Sequence, residues 1–132
     1  MSQFRLFFAL GLLSLIGLQS CKKAKAVEAN AQLISVQEMK TQLKMDDVQL
    51  VDLRLKKDFA SSHILSAENI VYDENFKENI NALDKDKPVI VYCYRGVTSK
   101  RAVEILQKSG FKKIYELEGG IAKWVQEENK AD

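Results

Sequence analysis

Cys93 opens a stretch whose residue types suit a nucleophilic sulfur: Cys93-Tyr94-Arg95-Gly96-Val97-Thr98-Ser99. The thiolate is the attacking form of cysteine, and it is favoured where N–H groups or cations face the sulfur. Gly96 permits the positive φ that lets a tight loop turn its backbone N–H groups inward, and a helix beginning near Ser99 aims the positive end of its dipole at the same place. Arg95 adds a fixed positive charge, and Thr98 and Ser99 bring hydroxyls that can cap the helix or donate to an anion. These features predict a thiol that ionises below its ordinary value of about 8.5, and hence an anionic sulfur at neutral pH. A buried structural cysteine at a strand end is the plain alternative; the glycine, the cation and the hydroxyls that follow it weigh against that reading.

The elements around the loop must hold it where ligands gather. Pro88-Val89-Ile90-Val91-Tyr92 is the most strand-like segment of the chain, β-branched and uncharged, with proline at its first position where a missing donor costs least. It runs straight into Cys93. Ser99 to Ser109 predicts a helix with Ala102, Val103, Ile105 and Leu106 on its core face and Gly110 at its C-terminal cap. Val48 to Leu53 reads as a short strand buried on both faces, Asn69 to Val71 as a second and Ile114 to Leu117 as the last. Ser35 and Glu38 have the spacing of a capping box and open a helix with Met39 and Leu43 on its apolar face. Lys56 to Ala60 reads as one helical turn, Asn75 to Leu83 as a helix, Gly119-Gly120 as a turn, and Ile121 to Glu127 as a closing helix that carries Trp124. Strands alternating with helices imply an α/β domain with a mainly parallel sheet, in which ligands bind beyond the carboxyl ends of the strands. Cys93 falls there.

Composition narrows the function classes. A chain of 132 residues leaves room for one globular domain, and 46% apolar residues with a single proline exclude collagenous or disordered chains. Twenty basic side chains against eighteen acidic ones give a net charge of +2, too small for a nucleic-acid footprint built on many phosphate contacts. Two cysteines cannot form a disulfide scaffold.

The first twenty residues read as an address. Arg5 is followed by Leu6 to Leu18 with no charge, an apolar run broken by Gly11, Ser14 and Gly17 and too short for a comfortable bilayer span of about 20 residues. The run ends in Leu18-Gln19-Ser20-Cys21, which resembles the lipobox of bacterial lipoproteins, where cleavage precedes a diacylglycerol-modified cysteine. The expectation is a signal peptide over 1–20, lipidation at Cys21, a polar tether over 21–31, a folded domain over 32–129, and a lipid-anchored protein of the bacterial cell envelope facing the periplasm. An uncleaved anchor or an ordinary secretory signal is the alternative.

Four segments in order carry a wider resemblance: Leu50-Val51-Asp52-Leu53-Arg54, then Ser62-His63-Ile64, then the Cys93 loop, then Leu117-Glu118-Gly119-Gly120-Ile121-Ala122-Lys123-Trp124. Together they are similar to rhodanese (sulfurtransferase) domains over nearly the whole domain. The resemblance implies a three-layer α/β fold with a five-stranded parallel sheet flanked by helices. It also implies a catalytic Cys93 that accepts sulfane sulfur from a small-molecule donor and passes it to cyanide or a thiol, with no metal or organic cofactor. Arg95, Gly96, Val97, Thr98 and Ser99 would then bind the substrate. Asp52 and Arg54 could line the pocket, though a buried ion pair that steadies the loop is the role the resemblance favours. His63 could be a general base, yet a thiolate stabilised by the loop needs none, so a supporting role suits it better. Trp124 is expected in the core, and Lys56 and Lys57 in solvent.

Two positions depart from the family's pattern. Thr98 stands where many single-domain members place arginine, which leaves the loop similar to the Cys-Arg-Lys-Gly-Val-Thr type of thiosulfate sulfurtransferases, and Ser62 replaces a usual glycine before His-Ile. A phosphatase, the other enzyme class sharing this architecture, needs arginine at position 99, which is serine. A persulfide carrier for a protein partner shares the first half-reaction and stays open. A disulfide oxidoreductase lacks a partner for Cys93 if Cys21 is lipidated.

Overall fold

The computed structural model describes residues 30–131 apart from Asp46. The expected signal segment, Cys21 and residues 21–29 of the expected tether lie outside the described residues. Ala31, expected in the tether, is instead the first residue of strand β1 (Ala31–Ile34). Helix α1 (Val36–Gln42) follows, opened by the predicted capping box: Ser35 Oγ accepts the Glu38 N–H at 3.2 Å and Glu38 Oε2 accepts the Ser35 N–H at 2.8 Å. The remaining elements are β2 (Gln49–Asp52), α2 (Lys56–Ser61), β3 (Glu68–Asn69), α3 (Phe76–Asn79) with a 3₁₀ turn at Ile80–Ala82, β4 (Val89–Tyr92), α4 (Val97–Lys108), β5 (Ile114–Leu117) and α5 (Gly120–Ala131).

All strand pairings are parallel and the sheet order is β1-β5-β4-β2-β3. Successive side chains of a strand point to opposite faces, and β4 shows it. Val89 and Val91 pack with Leu106, Phe76 and Phe111 on one face, while Ile90 and Tyr92 pack with Met39, Ile64 and Leu117 on the other. Cys93 continues the first set, which turns its sulfur toward α4.

Differences from the sequence reading have local causes. β1 escaped notice because it is an edge strand with Gln32 and a half-exposed Leu33, so it lacks the apolar run of a central strand. The helix expected over Asn75 to Leu83 tightens into a 3₁₀ turn after Asn79. That tightening is a common way to satisfy final carbonyls, and Phe76, Ile80 and Leu83 are still buried. The strand expected over Asn69 to Val71 is only Glu68–Asn69, since beyond it the chain bonds irregularly: the Ile70 N–H reaches the Asp52 carbonyl and the Tyr72 N–H the Leu53 carbonyl. α4 begins two residues before Ser99 because Gly96, at φ 93°, makes the left-handed turn that a helix start at Val97 requires. Trp124 is partly buried against the core rather than enclosed by it, with the Lys40 ammonium over its ring. Among the described residues no helix is long and apolar enough to cross a membrane.

Candidate active site

β4 delivers Cys93 into a loop that is closed by the first turn of α4. Cys93 is 5% exposed, and its Sγ accepts the Gly96 N–H at 3.1 Å. Ser99 Oγ stands 3.6 Å from the same sulfur. Burial alone pushes the thiol up. The contact with the Ser99 side chain and the backbone N–H groups of Ser99, Gly96 and Thr98 outweigh it, and the thiol is held below its ordinary value. Of the inward-facing N–H groups expected of this loop, that of Gly96 bonds the sulfur directly.

The outer side of the loop is braced by the Gly119-Gly120 turn. Ile121 donates its N–H to the Cys93 carbonyl at 3.0 Å and Ala122 donates to the Tyr94 carbonyl at 3.1 Å, so the start of α5 binds the loop's oxygens and leaves its N–H groups for the sulfur. Gly120 is required for this approach: its φ is 60°, and a Cβ there would fall 2.4 Å from the Cys93 carbonyl oxygen. The sequence marks this pair as a turn and as part of the fourth segment of the resemblance, without showing that it braces the Cys93 loop.

Asp52 and Arg54 flank the other side. Asp52 is fully buried at the carboxyl end of β2, and the Arg54 guanidinium forks onto it, Nε to Oδ1 at 3.0 Å and Nη2 to Oδ2 at 2.7 Å. Nη2 also donates to the Ser62 carbonyl at 2.6 Å, tying the loop after α2 to the sheet. The ion pair raises the Arg54 pKa further, chiefly through the hydrogen bond to Asp52. Tyr92 accepts the Ile64 N–H at 3.2 Å, and burial pushes its phenol up. His63 is exposed, stacked on Phe59 with ring centroids 3.8 Å apart, and its Nδ1 is bound to the Phe59 carbonyl at 2.8 Å. It supports the loop after α2 and does not line the cavity at Cys93.

That cavity, about 520 Å³, is lined by Leu53, Arg54, Leu55, Asp58, Tyr72, Cys93, Tyr94 and Thr98 among others. Of the residues expected to bind substrate, Thr98 is in its wall, Gly96 and Ser99 are against the sulfur, and Val97 is 72% exposed. Arg95 lies elsewhere than expected. It is exposed, with its guanidinium 5.2 Å from the Tyr94 ring centroid, and the cation in the cavity wall is Arg54. In a strand-to-helix loop whose N–H groups turn inward, the side chain midway along it points out to water. Lys56 and Lys57 are exposed, as expected.

One buried acid was missed. Glu116 is 8% exposed and its Oε1 accepts the Ser99 hydroxyl at 2.7 Å. The signal was available: Glu116 follows Ile114 by two in a strand, so it shares the face that packs against α4. Among the described residues no group of three or more His, Cys, Asp or Glu side chains is placed to hold a metal ion.

Comparison with known proteins agrees with this arrangement. The chain is 35% identical over 91 residues to a thiosulfate sulfurtransferase GlpE of Shewanella oneidensis, a match covering 69% of this chain and 89% of that one. It is 43% identical over 76 residues to the uncharacterized protein YqhL of Bacillus subtilis, covering 58% of this chain and 60% of that one. The fold is similar to that of a rhodanese-related protein from Thermoplasma volcanium, with a TM-score of 0.66 at 28% identity over 73% of this chain and 92% of the other. A rhodanese-like domain protein from Staphylococcus aureus gives 0.64 at 30% identity, over 70% and 90%. Residues 35–127 match the rhodanese-like domain family as a whole, and the chain belongs to that family.

Proposed function

We propose that the protein is a sulfurtransferase that moves sulfane sulfur from thiosulfate or a similar donor to cyanide or a thiol through a persulfide on Cys93. The observation that carries this reading is the buried Cys93 sulfur with the Gly96 N–H 3.1 Å away and its thiol held below the ordinary value, at a cavity with a cation in its wall. The thiosulfate sulfurtransferase relatives support sulfurtransferase activity in general. In the first half-reaction the Cys93 thiolate attacks the outer sulfur of thiosulfate. The new S–S bond takes its electron pair from Cys93, the old S–S bond breaks toward the sulfonate, and sulfite leaves. The outer sulfur keeps its negative charge, which the loop's N–H groups are placed to accept. In the second half-reaction the acceptor takes the outer sulfur and the bonding pair returns to Cys93 as thiolate. A cavity of about 520 Å³ lies within the usual range of about 300–1,000 Å³ for small-molecule sites, enough for both anions in turn.

Leu55 and Tyr94 favour a second reading, sulfur carriage to a protein partner: both line the cavity and both are more than half exposed. Mass spectrometry of the purified protein after thiosulfate treatment tests the common step. A gain of one sulfur at Cys93, absent in Cys93→Ser, is expected; loading elsewhere, or none, refutes it. Turnover with cyanide then separates enzyme from carrier.

We also propose that residues 1–20 are a cleaved lipoprotein signal and that a lipidated Cys21 holds the domain at the bacterial cell envelope, facing the periplasm. What supports this is the sequence alone: an uncharged run from Leu6 to Leu18 followed by Leu18-Gln19-Ser20-Cys21.

A further inference from the structure

Ser99 stands between two acids with one hydroxyl proton to offer. Its Oγ is 2.7 Å from Glu116 Oε1 and 3.6 Å from Cys93 Sγ. Both Ser99 and Glu116 are buried, so water does not stand in for a missing partner. A hydroxyl donates once. When the Glu116 carboxylate takes that proton, Oγ turns lone pairs toward the sulfur and can only accept from a thiol. With a donor in place of that carboxylate, the Ser99 hydroxyl would turn to Sγ and hold the sulfur as thiolate.

We propose that Glu116 is a positioning residue for Cys93 that acts through Ser99: its carboxylate holds the Ser99 hydroxyl proton, so that Oγ accepts from the Cys93 thiol and the sulfur's negative charge is left to the loop's N–H groups. The proposal rests on Cys93 being the nucleophile.

The surroundings leave the pair to itself. Arg54, Asp58, Tyr72 and Tyr94 line the cavity with Cys93, and Asp52 is committed to Arg54, yet none of these hydrogen-bonds Sγ, Ser99 or Glu116 among the described residues. On α4, Lys100 and Arg101 are exposed. The neighbouring strands set Leu33 and Val91 beside Glu116, and Lys123 of α5 pairs with Glu118.

The test is the pH dependence of Cys93 alkylation by iodoacetamide in the full chain, followed at the Cys93 peptide by mass spectrometry so that Cys21 does not contribute. Glu116→Gln donates its amide to Oγ permanently and removes a negative charge, so the midpoint should fall by about one pH unit. In a Ser99→Ala background the same substitution should move it far less. An unchanged midpoint in a folded Glu116→Gln protein overturns the proposal, and so does a shift of equal size with and without Ser99, which would mean that the charge acts through space alone. Infrared difference spectra of the unmutated protein before and after Cys93 alkylation give a second measurement that does not depend on the variant folding. Below the midpoint the Cys93 S–H stretch should lie at the lowered frequency of a hydrogen-bond donor; a free-thiol frequency overturns the proposal. Neither measurement uses a sulfur donor, so a failure of thiosulfate loading leaves this result readable, and the reverse.

Discussion

Replacing Arg54 separates two effects that one side chain produces. Its guanidinium makes three hydrogen bonds of 2.7–3.1 Å to the fully buried Asp52 carboxylate and one of 2.6 Å to the Ser62 carbonyl. Nη1 hydrogen-bonds none of the described residues, and Arg54 is in the cavity wall. Arg54→Ala leaves Asp52 buried without its guanidinium partner, still accepting the residue 54 backbone N–H at 2.9 Å. Breaking a buried ion pair from one side costs about 3–5 kcal/mol, out of a total stability of about 5–15 kcal/mol for a domain of this kind. That variant would mainly report unfolding. Arg54→Lys is the informative change, because it keeps the charge and gives up the planar fork. Loss of one charge-assisted hydrogen bond is worth about 1.5–3 kcal/mol, which lowers Tm by roughly 6–24 °C.

The same substitution removes the directed N–H groups available to an anionic donor. An effect of about 1.4 kcal/mol is tenfold in binding, and an interaction made equally in ground and transition states appears in KM. Arg54→Lys should therefore raise KM for thiosulfate about tenfold with kcat little changed. Arg95→Ala should raise it less than about fivefold, since Arg95 is exposed and its contact with the Tyr94 ring is worth about 0.5–1 kcal/mol at such a site. Steady-state kinetics with thiosulfate and cyanide at fixed ionic strength, beside thermal unfolding, decides the matter. An Arg95→Ala penalty as large as that of Arg54→Lys would refute the assignment of the donor's cation to Arg54. A lower Tm with unchanged KM would confine Arg54 to holding the loop.

Gly120→Ala puts a Cβ 2.4 Å from the Cys93 carbonyl and 2.5 Å from that of Tyr94, at a φ of 60°, and should cost about 1–3 kcal/mol and slow Cys93 alkylation at neutral pH; an unchanged alkylation rate would show that the brace does not shape the sulfur's surroundings. Cys21→Ser should move the protein out of the detergent phase on fractionation, and membrane partition as strong as the parent's would point to Leu6 to Leu18 as an uncleaved anchor.

Legibility in the sequence followed the kind of signal each feature carries. β4 and the capping box of α1 were readable because their signals are local: a β-branched run after proline, and Ser35 three residues from Glu38. β1 was not, because an edge strand half open to water needs no apolar run and is held by its pairing with β5, which is distant in sequence. Chemistry divided the same way. The loop's glycine and hydroxyls announced an anion-favouring turn around Cys93, and Gly96 and Ser99 are at the sulfur. Side-chain direction is not announced, so Arg95 is expected at the cavity when it points away, and Arg54 is read chiefly as half of a structural ion pair although it also lines the cavity. Glu116 was hidden among apolar neighbours, although its parity with Ile114 marked it as core-facing.

The acid beneath the loop also bears on which chemistry the site can take. Phosphoryl transfer bonds phosphorus to the sulfur and seats three charged oxygens inside the loop, where an arginine fork would normally meet them. Here that position is Ser99, with a Glu116 oxygen 2.7 Å behind it, and like charges so close in a buried site oppose each other strongly. Sulfur transfer makes a smaller demand. In the proposed reaction only one sulfur would join Cys93, and it would carry a single charge spread over a large, polarizable atom within reach of the loop's N–H groups. The sulfonate of the donor would depart by the cavity, whose wall holds Arg54. An acidic floor and a basic wall thus favour a donor that places its reacting atom inward and its charge outward, and they disfavour one that must bury its charge against the floor.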